Sequence, residues 1–171
     1  MATAFTTLVR ESSNLALKMV GNLITATTGR CWFPSVTSTS EFHRNVVSGF
    51  TTGFLQASSA GAGTASALGN TFISNTTAMD LTDANLSAVI RNNAAKTNGT
   101  SINCSAGSMA RITTGGNVLD PTVAAAFVAG TGDVTGVDAA LDSDFFPTVS
   151  GNCDGTADAT VFDWVGGTDY M

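Results

Sequence analysis

Charged side chains are scarce in this sequence. They account for 12% of the 171 residues, and lysine occurs only at Lys18 and Lys96; globular proteins average about 25%. Thr, Ser, Asn and Gly supply the polarity instead. The few arginines are scattered and form no basic run that could neutralise phosphates, which argues against nucleic-acid binding. This composition is common among virion proteins and extracellular subunits, whose surfaces are covered by neighbouring copies.

Long apolar runs are also missing. No segment offers the roughly 18 consecutive apolar residues of a membrane span. Arg10, Glu11 and Lys18 interrupt the first twenty residues, so no signal peptide is expected. Apolar residues still make up 43% of the chain, enough to build a core. We therefore expect one folded domain over residues 1–171.

Histidine occurs once, at His43. Any Ser-His-Asp or Cys-His catalytic system would have to use this residue. It stands close to Glu41 in a predicted helix, and the sequence indicates no third group that would orient its ring. The plain interpretation is a helix-surface histidine paired with a carboxylate, and we expect no enzymatic activity.

The net charge of −6 is distributed unevenly. Residues 1–111 carry all seven basic and four acidic side chains, a balance of +3, whereas residues 112–171 carry nine Asp and no basic residue, a balance of −9. Opposite charges at two ends of a chain favour head-to-tail contacts between copies. A solvated acidic surface that keeps the protein soluble explains the same pattern equally well.

Apolar residues at steps of three and four positions predict three helices in the first hundred residues, and the second of them begins at a capping box. The predicted helices cover about 3–27, 39–57 and 82–97. The rest of the chain is rich in Gly and Thr. It predicts short strands, such as Met109–Thr114, and one short helix that begins at Asp120. The sequence therefore predicts an α+β domain with a helical N-terminal part.

The second predicted helix carries a stripe of large aromatic residues. Phe42, Phe50 and Phe54 fall on one four-residue spacing, and burying each is worth about 2–3 kcal/mol. Gly49 and Gly53 form a Gly-x-x-x-Gly pair, which lets another backbone approach a helix closely. These five residues are the predicted core or assembly contacts.

Residues 58–69 are small and of low complexity. Gly61 and Gly63 begin a Gly-x-Gly, but the third glycine of a phosphate-binding loop would fall at Ser66, so nucleotide binding is not expected. The segment predicts either a flexible connection or a stretch packed tightly against a neighbour.

The three cysteines are Cys31, Cys104 and Cys153. They lie too far apart for a zinc ribbon. Cys104 and Cys153 each follow an Asn and precede a short β-like run that ends in Gly-Gly, so a disulfide between these two is the predicted pairing. Three reduced, buried cysteines are the alternative.

A calcium site is predicted at Asn152, Asp154 and Asp158. Their spacing reproduces the middle of a calcium-binding loop, with oxygen ligands at alternate positions around a glycine. The first ligand of such a loop would fall on Ser150 and the closing one on Val161, which are poor ligands. Ordinary Asx turns are the alternative, and no other cofactor is predicted.

These features predict a self-assembling structural subunit of a virion (a decoration, tail or coat component of a capsid) or of an extracellular filament. Its expected partners are copies of itself and other structural proteins of the same virion or extracellular assembly. The alternative is a secreted adhesion or carbohydrate-binding module, stabilised by calcium at Asp154 and Asp158, in which Trp164 and Tyr170 offer stacking surfaces.

Overall fold

The computed structural model describes most of the first 141 residues. The described residues are 7–10, 17–33, 39–55, 64–82, 85, 87–120, 122–137 and 139–141. In this part of the chain the protein is a β-solenoid: the backbone winds through six coils and adds one strand or bridge per coil to each of three parallel sheets.

The three sheets, here called A, B and C, receive their strands in turn along the chain. Sheet A consists of β1 (Thr7–Arg10), β4 (Arg30–Phe33), β7 (Thr52–Leu55), β10 (Thr77–Leu81) and β13 (Thr100–Cys104). Sheet B consists of β2 (Leu17–Val20), β5 (Thr39–His43), β8 (Thr64–Leu68), β11 (Ser87–Arg91) and β14 (Ile112–Gly115). Sheet C consists of β3 (Leu23–Thr25), β6 (Val46–Ser48), β9 (Thr71–Ile73), β12 (Ala94–Lys96), β15 (Val118–Leu119) and β16 (Val134–Thr135).

The predicted α+β fold with a helical N-terminal part is wrong. The described residues of all three predicted helices (about 3–27, 39–57 and 82–97) form strands and the corners between them, and the one helix among the described residues is α1 (Ala106–Met109). The short helix predicted from Asp120 is also wrong, because Val123 pairs with Ile102 as a further bridge of sheet A. The predicted strand at Met109–Thr114 overlaps β14.

The helical spacing arose from short strands joined by short corners. Several strands bury alternate residues, as β5, β8 and β11 do. Two-residue corners between sheets B and C, and corners of three or four residues between sheets C and A, interrupt this alternation and produce steps of three and four. Phe42 points inward from β5, Phe50 follows β6, and Phe54 lies on β7 of the next coil. The aromatic residues therefore follow the chain around the solenoid and do not share one helix face.

The core is a column of inward-facing side chains that runs through the coils. Phe42, Phe54 and Phe72 are fully buried. Their rings pack at centroid distances of 5.6 Å (Phe42 to Phe54) and 6.3 Å (Phe42 to Phe72). Ala67 and Ile90 continue the inward position of Phe42 on the next two strands of sheet B. Burial of this column is the main stabilising contribution of the fold.

The predicted role of Gly49 and Gly53 in the pairing of two helices is wrong, because neither residue lies in a helix. Both glycines instead allow close packing within the solenoid. Gly49 has φ +81°, and a side chain there would overlap the carbonyl oxygen of Ala26 in the preceding coil. Gly53 faces the core, where a Cβ atom would come within 2.9 Å of the Phe72 ring. The sequence of residues 58–69 predicts either a flexible connection or a stretch packed tightly against a neighbour. Within this segment, Thr64–Leu68 forms β8 in the middle of sheet B.

The corner between sheets B and C is two residues long in every described coil. Its first residue has a left-handed backbone, with φ between 54° and 70° at Gly21, Arg44, Gly69, Asn92 and Gly116. Glycine and asparagine adopt this conformation most easily. The residue that follows is an asparagine in these five coils, and in the sixth coil Gly132, with φ 76°, is followed by Asp133.

These asparagines form a hydrogen-bonded ladder along the solenoid. Its members are Asn22, Asn45, Asn70, Asn93 and Asn117, and it ends at Asp133. Each asparagine donates its backbone N–H and its Nδ2 to the Oδ1 of the next member, at distances of 2.7–3.1 Å. The ladder thus satisfies polar groups that the sharp corner would otherwise leave buried and unpaired.

A second, shorter ladder follows the corner between sheets C and A. The N–H of Phe50 donates to Oδ1 of Asn75 at 3.0 Å, and Asn75 donates twice to Oδ1 of Asn98, each time at 3.0 Å. Asn98 donates to Oδ2 of Asp120. Both ladders therefore end in an aspartate, whose carboxylate accepts hydrogen bonds but has no hydrogen to pass on.

Candidate assembly surfaces

The first coil forms the edge of all three sheets. β1, β2 and β3 are the terminal strands in the order of sheets A, B and C, and we call this surface the N-terminal edge. Leu8 and Val20 are each 43% exposed and Leu23 is 66% exposed, so three of the five large exposed apolar side chains of the described residues lie here. An exposed strand edge with apolar side chains is a template for another strand.

The sixth coil forms the opposite surface, which we call the C-terminal edge. It consists of Val123 paired with Ile102, Thr131 paired with Gly115, and β16 paired with β15. Thr131 is exposed. An apolar groove of about 570 Å³ lies beside it, between α1, β14 and residues 126–130. The C-terminal edge therefore also combines strand edges with apolar surface.

The described charges differ between the two ends. Arg10, Lys18, Arg30 and Arg44 lie in the first two coils with Glu41, a balance of +3 among the described residues. The described charges after Arg111 are aspartates, at positions 120 and 133. Because a solenoid arranges its sequence along one axis, part of the charge asymmetry in the sequence becomes a difference between the two ends of the molecule.

The outward face of sheet B carries a polar network around the single histidine. Lys18 Nζ lies 2.6 Å from Glu41 Oε2, and His43 Nε2 lies 2.8 Å from Ser66 Oγ. The Lys18 hydrogen bond lowers the pKa of Glu41, and burial lowers the pKa of His43, so the ring is neutral near pH 7. His43 Nδ1 lies 3.9 Å from Glu41 Oε2, which is too long for a hydrogen bond. The carboxylate therefore does not orient the ring as in a catalytic triad.

The three phenylalanines among the predicted core residues are buried, and the rings of Phe42 and Phe54 are in contact. Phe42, Phe50 and Phe54 are at most 1% exposed. Gly49 and Gly53 lie in the corner and the strand that connect them. Phe42, Phe50, Gly53 and Phe54 are buried in a single copy and Gly49 is half-buried. The two edges are the candidate surfaces for assembly.

Two of the three cysteines lie in the described residues, on β4 and at the end of β13. Cys31 and Cys104 are buried, and burial raises the pKa of both thiols, to about 12 for Cys31. Cys153 lies outside the described residues, so the Cys104–Cys153 disulfide stays a prediction.

The predicted calcium ligands also lie outside the described residues. Asn152, Asp154 and Asp158 belong to that part of the chain, and the calcium site stays a prediction. Among the residues that the structure does describe, no group of three or more His, Cys, Asp or Glu side chains could hold a metal ion. No helix in the described part is long and apolar enough to cross a membrane.

The asparagine ladders were missed at the sequence level. Successive members of the longer ladder are 23, 25, 23 and 24 residues apart from Asn22 to Asn117. This recurrence is the signal that could have revealed the coils. It is obscured because only the asparagine is present at every one of these five corners, in a chain with many other asparagines.

Comparison with known proteins gives no relative. No protein-family model, curated protein or solved structure matches this chain. Its function is therefore inferred from its own surfaces.

Proposed function

We propose that this protein is a self-assembling structural subunit that acts through contacts between copies of itself. The observation that carries the proposal is the N-terminal edge, where three strand edges meet the exposed side chains of Leu8, Val20 and Leu23. Charges, proline or a covering segment usually protect such edges in monomeric β-proteins. Lys18 on β2 is one such charge here, but the three apolar side chains remain exposed beside it. A second copy would pair the edge strands and bury the apolar side chains together.

The interior suits a rigid structural element. Six coils at a strand spacing of about 4.8 Å give a rod about 24 Å long between the first and last strands. Buried aromatic residues fill its centre, and the ladders fix its corners. Repeat units of this kind are stabilised by contacts with their neighbours on either side, so a further copy at the end extends the same arrangement. A virion component or an extracellular filament would use such a rod.

The test is sedimentation velocity of the full chain at low and high salt. We expect oligomers at about 20 mM salt and fewer of them at about 0.5 M, because salt shortens the range of the attraction between the oppositely charged ends. A monomer at high micromolar concentration and low salt would contradict the proposal.

A matched pair of variants locates the contact. Val20 on edge strand β2 is 43% exposed, and Val89 on internal strand β11 is 39% exposed. Val20→Glu should weaken association about tenfold or more, because it replaces about 1.5 kcal/mol of apolar burial with a charge that must be desolvated. Val89→Glu makes the same chemical change on a strand that has a neighbour on each side. The association constant of this variant should stay within about twofold of that of the unchanged protein. Equal effects of the two changes would place the contact elsewhere.

A further inference from the structure

We propose that copies stack head to tail in a defined register, in which the N-terminal edge of one copy continues the sheets beyond the C-terminal edge of the next. The inference rests on the proposed self-assembly and adds which surfaces meet and which residues lie side by side. It follows from three columns of paired residues that run through all six coils.

Each column takes one residue from every coil. The sheet A column is Val9, Trp32, Phe54, Met79, Ile102 and Val123. The sheet B column is Val20, His43, Leu68, Arg91, Gly115 and Thr131. The sheet C column is Leu23, Val46, Thr71, Ala94, Val118 and Val134. Every column begins at the N-terminal edge and ends at the C-terminal edge.

A seventh position in each column is supplied by a second copy. In sheet C, Leu23 of that copy lies beside Val134. The side chain of Leu23 is 66% exposed in a single chain and becomes covered at the junction. In sheet B, Val20 of the second copy lies beside Thr131. Because all three columns span the same six coils, one placement of the second copy brings the residues of all three columns side by side.

Charge and strand direction favour head-to-tail stacking over contact between two like edges. Head-to-tail stacking brings the first two coils, with a described balance of +3, against the coil that holds Asp120 and Asp133. Contact between two N-terminal edges would bring two positive surfaces together. It would also require antiparallel pairing by two-fold symmetry, whereas every strand pair of the solenoid is parallel.

The junction between copies is weaker than the junction between coils. The Asn ladder ends at Asp133, whose carboxylate accepts hydrogen bonds from Asn117 and from the N–H of Gly130. A carboxylate cannot donate to the next copy. Strand edges, apolar contacts and charge therefore hold the copies together without the ladder, and dilution or salt should separate them while each solenoid stays folded.

Engineered disulfides test the register. Adjacent strands are about 4.8 Å apart, within the Cα distance that a disulfide spans. Within one chain, the two ends are about 24 Å apart, so a bond between them must join two copies. We expect Leu23→Cys combined with Val134→Cys to give a series of covalent multimers on oxidation, with a 23–134 linkage in peptide maps.

The matched control moves one cysteine by two positions on the same strand and face. Thr25 is exposed like Leu23, but a shift of two residues adds about 6.6 Å along the strand and puts Val134 beyond reach. Thr25→Cys with Val134→Cys should therefore stay largely uncrosslinked. Both variants keep the native cysteines, so any background linkage is common to them.

Each alternative outcome is distinct. Links between two copies of position 23 in Leu23→Cys alone would show contact of like edges and overturn the inference. Oligomers without the 23–134 linkage would overturn the register while leaving self-assembly intact, and a monomeric full chain would overturn both. If Val134→Cys fails to fold by circular dichroism, the exposed pair Val20→Cys and Thr131→Cys provides the same test.

Discussion

The asparagine ladder should contribute strongly to stability, and Asn93→Ala tests this at its centre. Asn93 is 1% exposed. Its Nδ2 donates to Ala67 O and Asn117 Oδ1, both at 2.9 Å, and its Oδ1 accepts the N–H and the Nδ2 of Asn70 at 2.9 and 3.0 Å. Alanine removes all four hydrogen bonds. At about 1 kcal/mol each, we expect the free energy of unfolding to fall by about 4 kcal/mol.

The control is the same change at the first rung. Asn22 is exposed and makes its hydrogen bonds where water can replace them, so Asn22→Ala should cost no more than about 1 kcal/mol. Urea unfolding followed by far-UV circular dichroism measures both losses. We attribute the stabilisation to the buried hydrogen bonds of the ladder and not to asparagine at a corner in general. Equal losses of unfolding free energy for the two variants would refute this attribution.

Two further predictions concern the core and the single histidine. Phe50 is 1% exposed, so Phe50→Ala should lower the free energy of unfolding by about 3–5 kcal/mol in the same urea assay; a loss below about 1 kcal/mol would contradict its place in the core. Burial lowers the pKa of His43, so the unfolded chain binds that proton more readily, and stability should fall as the pH drops below about 6.5 towards the lowered value. His43→Gln should flatten the urea midpoint across that window, and unchanged pH dependence in this variant would contradict the prediction.

The sequence contained the core residues but pointed to the wrong period. Phe42, Phe50 and Phe54 are buried, and an apolar pattern is enough to select such residues. The same pattern could not reveal that Phe42 and Phe54 meet across two coils, because local spacing carries no information about which strands pair. Steps of four arise from a helix and also from strands of three to five residues joined by short corners.

The ladder could be recognised only by comparing positions about 24 residues apart. Asn45, Asn70 and Asn93 occupy the same corner of successive coils, but the residue before each differs. It is an arginine, a glycine and an asparagine in turn. A repeat that conserves one polar residue per coil is weak beside the frequent Asn, Ser and Thr of this chain. The backbone corner, which requires a left-handed residue and then an asparagine, is the physical reason for the repeat.

The assembly surfaces were partly accessible from the sequence. The charge asymmetry predicted contacts between copies, and that prediction stays open. The edges themselves could not be identified, because an edge strand differs from an internal strand by its neighbours and not by its residues. Val20 and Val89 are both exposed valines on sheet B, and only the strand order distinguishes them.

The unequal corners imply that the fold tolerates added sequence between sheets A and B better than between sheets B and C. The number of residues between a strand of sheet A and the next strand of sheet B ranges from five (Phe33 to Thr39) to eight (Leu55 to Thr64), whereas the corner between sheets B and C always has two. An extra residue in the short corner would displace an asparagine from its ladder. The long corner already varies in length from coil to coil and accommodates α1 in the fifth coil. Foreign peptides inserted there, one per coil, would be displayed in a row at intervals of about 4.8 Å.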